Sequence, residues 1–285
     1  MRGLPMALQT CSTRYYIDCD MERAERETLG TGVAAAISSR CPDREGPNED
    51  AAAVIPLSDT QSVLVVADGF GGHPAGARAS EIAVRQIEQS VCKNPDAEDS
   101  LRAAILDGFE KADAAVREMG VGAATTLVVV EIDGTHLRSY HVGDSAVLVV
   151  GQRGLVKMRS VSHSPVGYAV ESGMIDEAEA MNHEQRHVVS NMVGSAEMRI
   201  EIGPALELAP RDTVLLATDG MWDNMMFDEV VEMIRKGPIE KSLSEIGRYC
   251  RDTMVQPSDD RPSKPDDLTA VAYRRKNLRR SRSTS

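Results

Sequence analysis

Apolar residues along this chain gather into short, unbroken runs. AAAVIPL (51–57), VLVVA (63–67), TTLVVVEI (125–132), HLRSYHV (136–142), AVLVV (146–150), TVLLA (213–217) and LTAVAY (268–273) are mostly β-branched and bounded by turn-forming residues, which predicts strands. Seven strands suffice for two sheets. Asp133-Gly134, between two of the runs, is a strong hairpin signal, so antiparallel pairing is expected to dominate.

Helical spacing takes over between the strand groups, at 80–91 and 99–119. In the second stretch Leu101, Ile105, Phe109, Ala112 and Val116 share one face, with Asp99 or Ser100 as the cap. Two more helices are predicted, at 228–236, ending at Gly237-Pro238, and at 239–253. The first two should cover a sheet. Residues 162–200 mix helical and loop-like patches and read as an insertion beside the functional site. Residues 1–30 show no clear period and read as an irregular lead-in, and 275–285 as a basic, disordered tail. One domain, 31–274, lies between them.

The polar positions repeat a theme. Apolar runs end on Asp68, Asp144 and Asp219, while Glu49-Asp50 and Asp266-Asp267 stand just before runs. A sheet aims the side chains at its strand ends, so these acids are expected to converge. Converging carboxylates repel unless a cation lies among them. Oxygen ligands without Cys pairs favour Mg²⁺ or Mn²⁺ over zinc, and this many acids suit two ions about 4 Å apart that activate a water. His183 and His187 have the spacing of one helix face, but no third ligand of clear role lies near them.

Composition narrows the reading. The 285 residues carry a formal charge of −12, which argues against a nucleic-acid surface. The five cysteines (Cys11, Cys19, Cys41, Cys92, Cys250) are scattered, with no C-x-x-C pair, and are expected to be reduced and inert. GLPMAL near the start is too short for a signal peptide, and no run is long enough to span a membrane. A cytoplasmic monomer is expected.

The segments NEDA, VADGFGGHPAG, AATTLVVV, HVGDSAVLVV, LLATDGMWDNM and DDLTAVAY stand in the order and at roughly the spacing found in the PPM-type (type 2C) metal-dependent Ser/Thr protein phosphatases. The chain resembles that family over about 31–274, and its short middle segment is similar to bacterial members. The resemblance implies an α+β fold, a four-layer α/β/β/α sandwich of two mainly antiparallel sheets flanked by helices. It implies hydrolysis of phosphoserine and phosphothreonine in proteins by direct in-line attack of a hydroxide bridging two Mn²⁺ or Mg²⁺ ions. Asp68 then corresponds to the acid shared by both metals and the Gly69 carbonyl to a ligand of one. Asp219 and Asp266 correspond to ligands of the other, and Glu49 and Asp50 to the pair holding the second metal, partly through water. Asp144 and Asp223 resemble the acids of a weaker third site in some members. The implied partners are phosphorylated proteins, a Ser/Thr kinase or its targets among them.

Three positions depart from the family pattern. Phe70 stands where many members have histidine, leaving His73 as the candidate general acid. Glu45 stands where the phosphate-binding arginine is usual, so Arg44, with Arg40 as the fallback, takes that role. Ala146 stands where arginine is common. A phosphoprotein-binding module of the same fold is the alternative function. Aspartyl phosphotransfer through Asp68 is disfavoured, because Phe70 replaces the second carboxylate it would need.

Overall fold

A computed structural model describes residues 11–42, 44–72, 74–93, 101–181, 183–258 and 261–276. In chain order its elements are strands β1 (Arg14–Ile17), β2 (Glu25–Thr28), β3 (Gly32–Ser39), β4 (Asp50–Pro56) and β5 (Gln61–Phe70), then helices α1 (Ala75–Cys92) and α2 (Leu101–Glu118). Strands β6 (Ala124–Thr125), β7 (Leu127–Asp133), β8 (His136–Val142), β9 (Ala146–Val150) and β10 (Val156–Arg159) follow, with helices α3 (Pro165–Glu171) and α4 (Glu177–Met181). The chain continues through β11 (Glu201–Ile202), β12 (Leu206–Glu207), β13 (Thr213–Ala217), α5 (Asp219–Trp222), α6 (Phe227–Ile234), α7 (Ile239–Val255) and β14 (Leu268–Arg275).

The strands form two sheets. One runs β1-β4-β5-β7-β8-β11, with β12 also on β8 and β6 on β5; the other runs β10-β9-β13-β14-β3-β2. Every pairing given for these strands is antiparallel. The strand runs are continuously apolar because both faces of each sheet are covered. On β5, Val63, Val65 and Ala67 pack under α1 and α2 with Ile105, Phe109 and Val116. Leu64 and Val66 face the other sheet, meeting Val214, Leu216 and Val271. On the far side Leu215, Ala217 and Ala272 pack under α6 and α7 with Val230, Leu243 and Ile246. The result is the expected α/β/β/α stack.

The predicted hairpin forms between β7 and β8, with Asp133 opposite His136, so its two turn residues are Gly134 (φ +59°) and Thr135, one place later than expected. Gly237 (φ +86°) separates α6 from α7 as predicted. Helix α1 begins at Ala75, five residues earlier than its periodicity suggests. The expected cap at Asp99 or Ser100 and tail residues 277–285 lie outside the described residues.

Two expectations need correction. Residues 11–30 are not irregular throughout: β1 pairs with β4 and β2 with β3, each at a sheet edge. Three charges in ERET hid β2, as is usual for edges that must resist further pairing, while β1, RYYI, is only four residues long; Arg14 on β1 pairs with Glu25 on β2 at 2.7 Å. Nor are all the cysteines free. Cys11 and Cys92, 81 residues apart in sequence, form a disulfide at a Cα–Cα distance of 6.1 Å, because the approach to β1 and the end of α1 pack against the same apolar core. Cys19, Cys41 and Cys250 remain thiols, and burial pushes Cys250 up to about 12, which keeps it inert.

Candidate functional site

The acids converge at one end of the two sheets. Asp50 opens β4 directly opposite Asp68 near the end of β5. In the other sheet β13 stops at Ala217 and β14 starts at Leu268, which brings Asp219 at the start of α5 to the same end as Asp266 and Asp267. Thr218 ties the sheets together. Its hydroxyl donates to Asp50 Oδ2 at 2.9 Å and accepts the Thr269 N–H at 3.0 Å.

Backbone contacts fix Asp68. Its N–H donates to Thr126 Oγ1 at 2.9 Å, and its carbonyl accepts from the Thr126 N–H and the Thr125 hydroxyl, each at 2.8 Å. Thr126 in turn meets the Ser145 hydroxyl at 2.8 Å, beside Asp144. At Gly69 a Cβ would lie 2.1 Å from the Gly76 carbonyl oxygen and 2.7 Å from that of Glu49. Only glycine lets the start of α1 press this closely on the strand end.

The adjacent acids Asp266 and Asp267 have different surroundings. Asp267 is 3% exposed and accepts the Cys41 N–H at 2.7 Å, the Glu49 N–H at 2.8 Å and the Arg44 guanidinium. It is an internal anchor. Asp266 turns toward a cation: Lys264 Nζ lies 3.1 Å from its Oδ2, 3.4 Å from Asp223 Oδ2, and is hydrogen-bonded to Asp219 Oδ2. The strand-end reading passed over Lys264, although it is a cation only two residues before the acidic pair.

The structure places Arg44 at the rim of this cluster, with Glu49 at 3.8 Å and Asp266 at 3.6 Å besides its bond to Asp267. Arg40 instead pairs with Asp18 at 2.8 Å. Phe70 is 62% exposed, and His73 lies outside the described residues. His183 and His187 sit on an exposed turn rather than a helix. A cavity of about 350 Å³ opens beside the acids, lined by Asp144, Asp219 and Asp223 and, across from them, by Val166, Met181 and Arg186 of the segment read as an insertion.

Electrostatics set the demand for cations. Burial first, and Asp219 and Asp223 second, push Asp144 up to about 7. Burial and Asp219 push Asp223 and Asp266 each up to about 6. Asp68 is raised well above the usual carboxylate range by burial and by Asp219, Asp50 and Asp266, and Asp50 by burial and by Asp267 and Asp266. Burial opposes the Lys264 charge, yet the surrounding carboxylates outweigh it and push that group up. Asp144 Oδ1 and Asp219 Oδ1 are buried without a hydrogen-bond partner. Orphaned carboxylate oxygens around one ammonium are a donor set suited to hard divalent ions.

A second cluster joins His141, His163 and Glu201, whose ligand atoms lie within 4.8 Å of one another. Its hydrogen bonds argue against a metal. His163 Nδ1 accepts the Gly143 N–H at 3.1 Å, so the neutral ring carries its proton on Nε2, facing Glu201 Oε2 at 3.2 Å.

The family model described as Protein phosphatase 2C matches residues 39–253. The serine/threonine phosphatase stp of Listeria monocytogenes is 31% identical over 207 residues, 70% of this chain and 80% of that protein. The crystal structure of the Mycobacterium tuberculosis serine/threonine phosphatase PstP/Ppp superposes with a TM-score of 0.68 at 25% identity, covering 85% of this chain and 98% of the other. A catalytic domain of the serine threonine protein phosphatase PstP in complex with two manganese ions shares the fold at a TM-score of 0.67 and 22% identity, over 94% of this chain and 100% of that one. The matched span takes in Glu49, Asp50, Asp68, Asp144, Asp219 and Asp223, with Asp266 beyond it, and the chain belongs to the protein phosphatase 2C family.

Proposed function

We propose that this chain hydrolyses phosphoserine and phosphothreonine esters of proteins at a binuclear manganese or magnesium centre built on its strand-end acids. Asp68, the Gly69 carbonyl, Asp219 and Asp266 would hold the ions, with Glu49 and Asp50 completing the set, partly through water. When bound, such ions supply positive charge to the phosphoryl oxygens and make a nearby water more acidic. The protein's own share is positioning. Thr218 fixes the Asp50 carboxylate, Thr125 and Thr126 fix the Asp68 backbone, and Asp267 holds the Arg44 guanidinium, whose remaining N–H groups would donate to the phosphate. Hydrolysis forms a bond from water oxygen to phosphorus, breaks the ester P–O bond and returns a proton to the serine or threonine oxygen.

One observation carries this reading: acids from two sheets meet around Lys264, with carboxylate oxygens still unpartnered. The cavity beside them would admit the phosphorylated side chain. On this reading the domain runs from β1 to β14, wider at its start than the expected 31–274. Its substrates are phosphorylated proteins, a Ser/Thr kinase or its targets among them. No helix among the described residues is long and apolar enough to cross a membrane, and we place the enzyme in the cytoplasm.

The test is turnover of para-nitrophenyl phosphate and of a phosphothreonine peptide, with Mn²⁺ and with chelator, by the wild type and Asp68→Ala. Activity that needs the metal and is lost in the variant is expected. Metal-independent turnover or full activity of Asp68→Ala would refute the mechanism, and failure with every metal would leave a phosphoprotein-binding module.

A further inference from the structure

The cavity beside the acids also has an apolar wall. Besides Asp144, Asp219 and Asp223, its space of about 350 Å³ is lined by Ala146, Val166, Val170, Met181 and Trp222. Ala146 opens β9 and shares a sheet face with Leu148 and Val150, the face that α6 and α7 cover. That cover stops short of Ala146, where the cavity begins. An arginine, common at this position in the family, would extend into the space and pair with the acids. Alanine leaves it open and without charge.

The wall is held in shape before anything binds. Val166 and Val170 stand four residues apart on one face of α3. The Ser164 hydroxyl caps that helix, accepting the Gly167 N–H at 2.9 Å, and a Cβ on Gly167 would lie 2.5 Å from the Ser162 carbonyl oxygen. Just before α3, the His163 N–H donates to the Gly143 carbonyl at 3.0 Å and the Gly143 N–H returns to His163 Nδ1 at 3.1 Å, which ties the segment to the residue preceding Asp144. The Trp222 indole N–H donates to the Ala217 carbonyl at 3.0 Å, so ring carbon is left for the cavity. The cations at the rim are engaged elsewhere: Arg186 donates to the Met181 and Ser263 carbonyls at 2.5 and 3.1 Å, and Arg159 lies over the Phe227 ring at 4.4 Å.

We propose that this wall is a subsite for an aliphatic side chain next to the phosphorylated residue, so that the enzyme selects phosphoproteins with leucine, isoleucine, valine or methionine at that place. The inference rests on the metal-dependent phosphatase reading. A phosphoryl group held at the acids brings its own chain past the wall, because successive residues advance by only about 3.3–3.6 Å. An acidic neighbour would be repelled by Asp144, Asp219 and Asp223, and a basic one would compete with the ions for them. A polar neighbour would give up water without finding a partner on these side chains. An aliphatic one gains by leaving water, and little ordering of the wall opposes it.

The experiment compares kcat/KM for phosphothreonine peptides, using the full chain with Mn²⁺. Each peptide carries one leucine at the first or second position on either side of the phosphothreonine and serine elsewhere; the references have serine throughout, or aspartate in place of the leucine. The wild type is expected to favour leucine at one of these positions over serine by about tenfold or more, and to discriminate further against aspartate there. Ala146→Arg and Val170→Asp should abolish the preference, while Val170→Ile keeps it. The preference is a ratio measured within one protein, so a general loss of activity in a variant cancels, and the wild-type comparison needs no variant to fold. Equal turnover of all peptides by the wild type, or a leucine preference that survives in both Ala146→Arg and Val170→Asp, overturns the subsite and leaves the phosphatase standing. A wild type that turns over neither these peptides nor para-nitrophenyl phosphate with Mn²⁺ overturns both.

Discussion

Replacing each of two adjacent carboxylates, Asp266 and Asp267, should give opposite results. Asp267 is buried and accepts two backbone N–H groups and the Arg44 guanidinium. Asp267→Ala would leave the Cys41 and Glu49 N–H groups without this acceptor and Arg44 without its closest carboxylate. Hydrogen bonds to a charged group contribute about 1.5–3 kcal/mol each, and breaking a buried ion pair from one side costs about 3–5 kcal/mol. Because the three contacts share one acceptor, their contributions overlap, and a total loss of about 3–5 kcal/mol follows. At about 2 °C per kcal/mol for a chain of this size, the midpoint of thermal unfolding should fall by roughly 6–10 °C.

Asp266 has less to lose by neutralisation. Burial and the neighbouring Asp219 already hold it up at about 6, so Asp266→Asn removes a buried charge and its repulsion along with its contact to Lys264. The metal-free variant should unfold within about 1 kcal/mol of the wild type, while Mn²⁺ affinity drops and turnover falls by about 10²-fold or more. Thermal and urea unfolding in chelator, with Mn²⁺ titration of both variants, separates the two residues. A loss under about 1 kcal/mol in Asp267→Ala, or normal Mn²⁺ binding and turnover in Asp266→Asn, would refute the division of roles.

Two further outcomes follow from the same site. Because Asp144, Asp223 and Asp266 are held up at about 7, 6 and 6, the metal-free folded chain keeps protons that the unfolded chain has released. Stability present near about pH 4 is therefore lost as the pH rises through about 7; melts in chelator should show it, saturating Mn²⁺ should remove the trend, and a rising midpoint in chelator would contradict it. At Gly69, alanine would set a Cβ 2.1 Å from a backbone oxygen of α1. Gly69→Ala should cost about 1–3 kcal/mol and lower turnover along with stability, and a variant unchanged in both would show that the close approach is unimportant.

How much of this could be read from the sequence depended on whether a segment's own residues carried its structure. Val63–Val66 and Val147–Val150 announce strands by composition, since both faces are buried and every position can be apolar. Strand β3, GVAAAISS, escaped because alanine favours helix. What makes it a strand is its place between β14 and β2, together with the need for small side chains beneath α7, where a Cβ on Gly247 would already lie 2.5 Å from Ile37 Cδ1. Charged β2, ERET, escaped for the converse reason, since edge strands carry the residues that loops carry, and β1, RYYI, escaped because four residues are too few to show a period. The Cys11–Cys92 bridge depends on two segments 81 residues apart reaching one core, and no spacing rule reports that.

The acids themselves were legible because a strand end is a local feature and a carboxylate there is unusual in company. Their division of labour was not. Asp266 and Asp267 are chemically identical and adjacent, and only the arrival of the Cys41 and Glu49 backbone from the other end of the chain makes one an anchor and leaves the other facing the cation. Sequence favours Arg44 with Arg40 as the fallback, and the structure separates them because Asp267 captures one while Asp18 captures the other. Lys264 was overlooked for a related reason. A lone lysine between prolines resembles a solvated charge, and its inward course depends on the amide of Asn224, 40 positions away. In this protein sequence alone locates the charges of the site, but the groups that meet each charge decide whether it faces the open cluster or holds the frame.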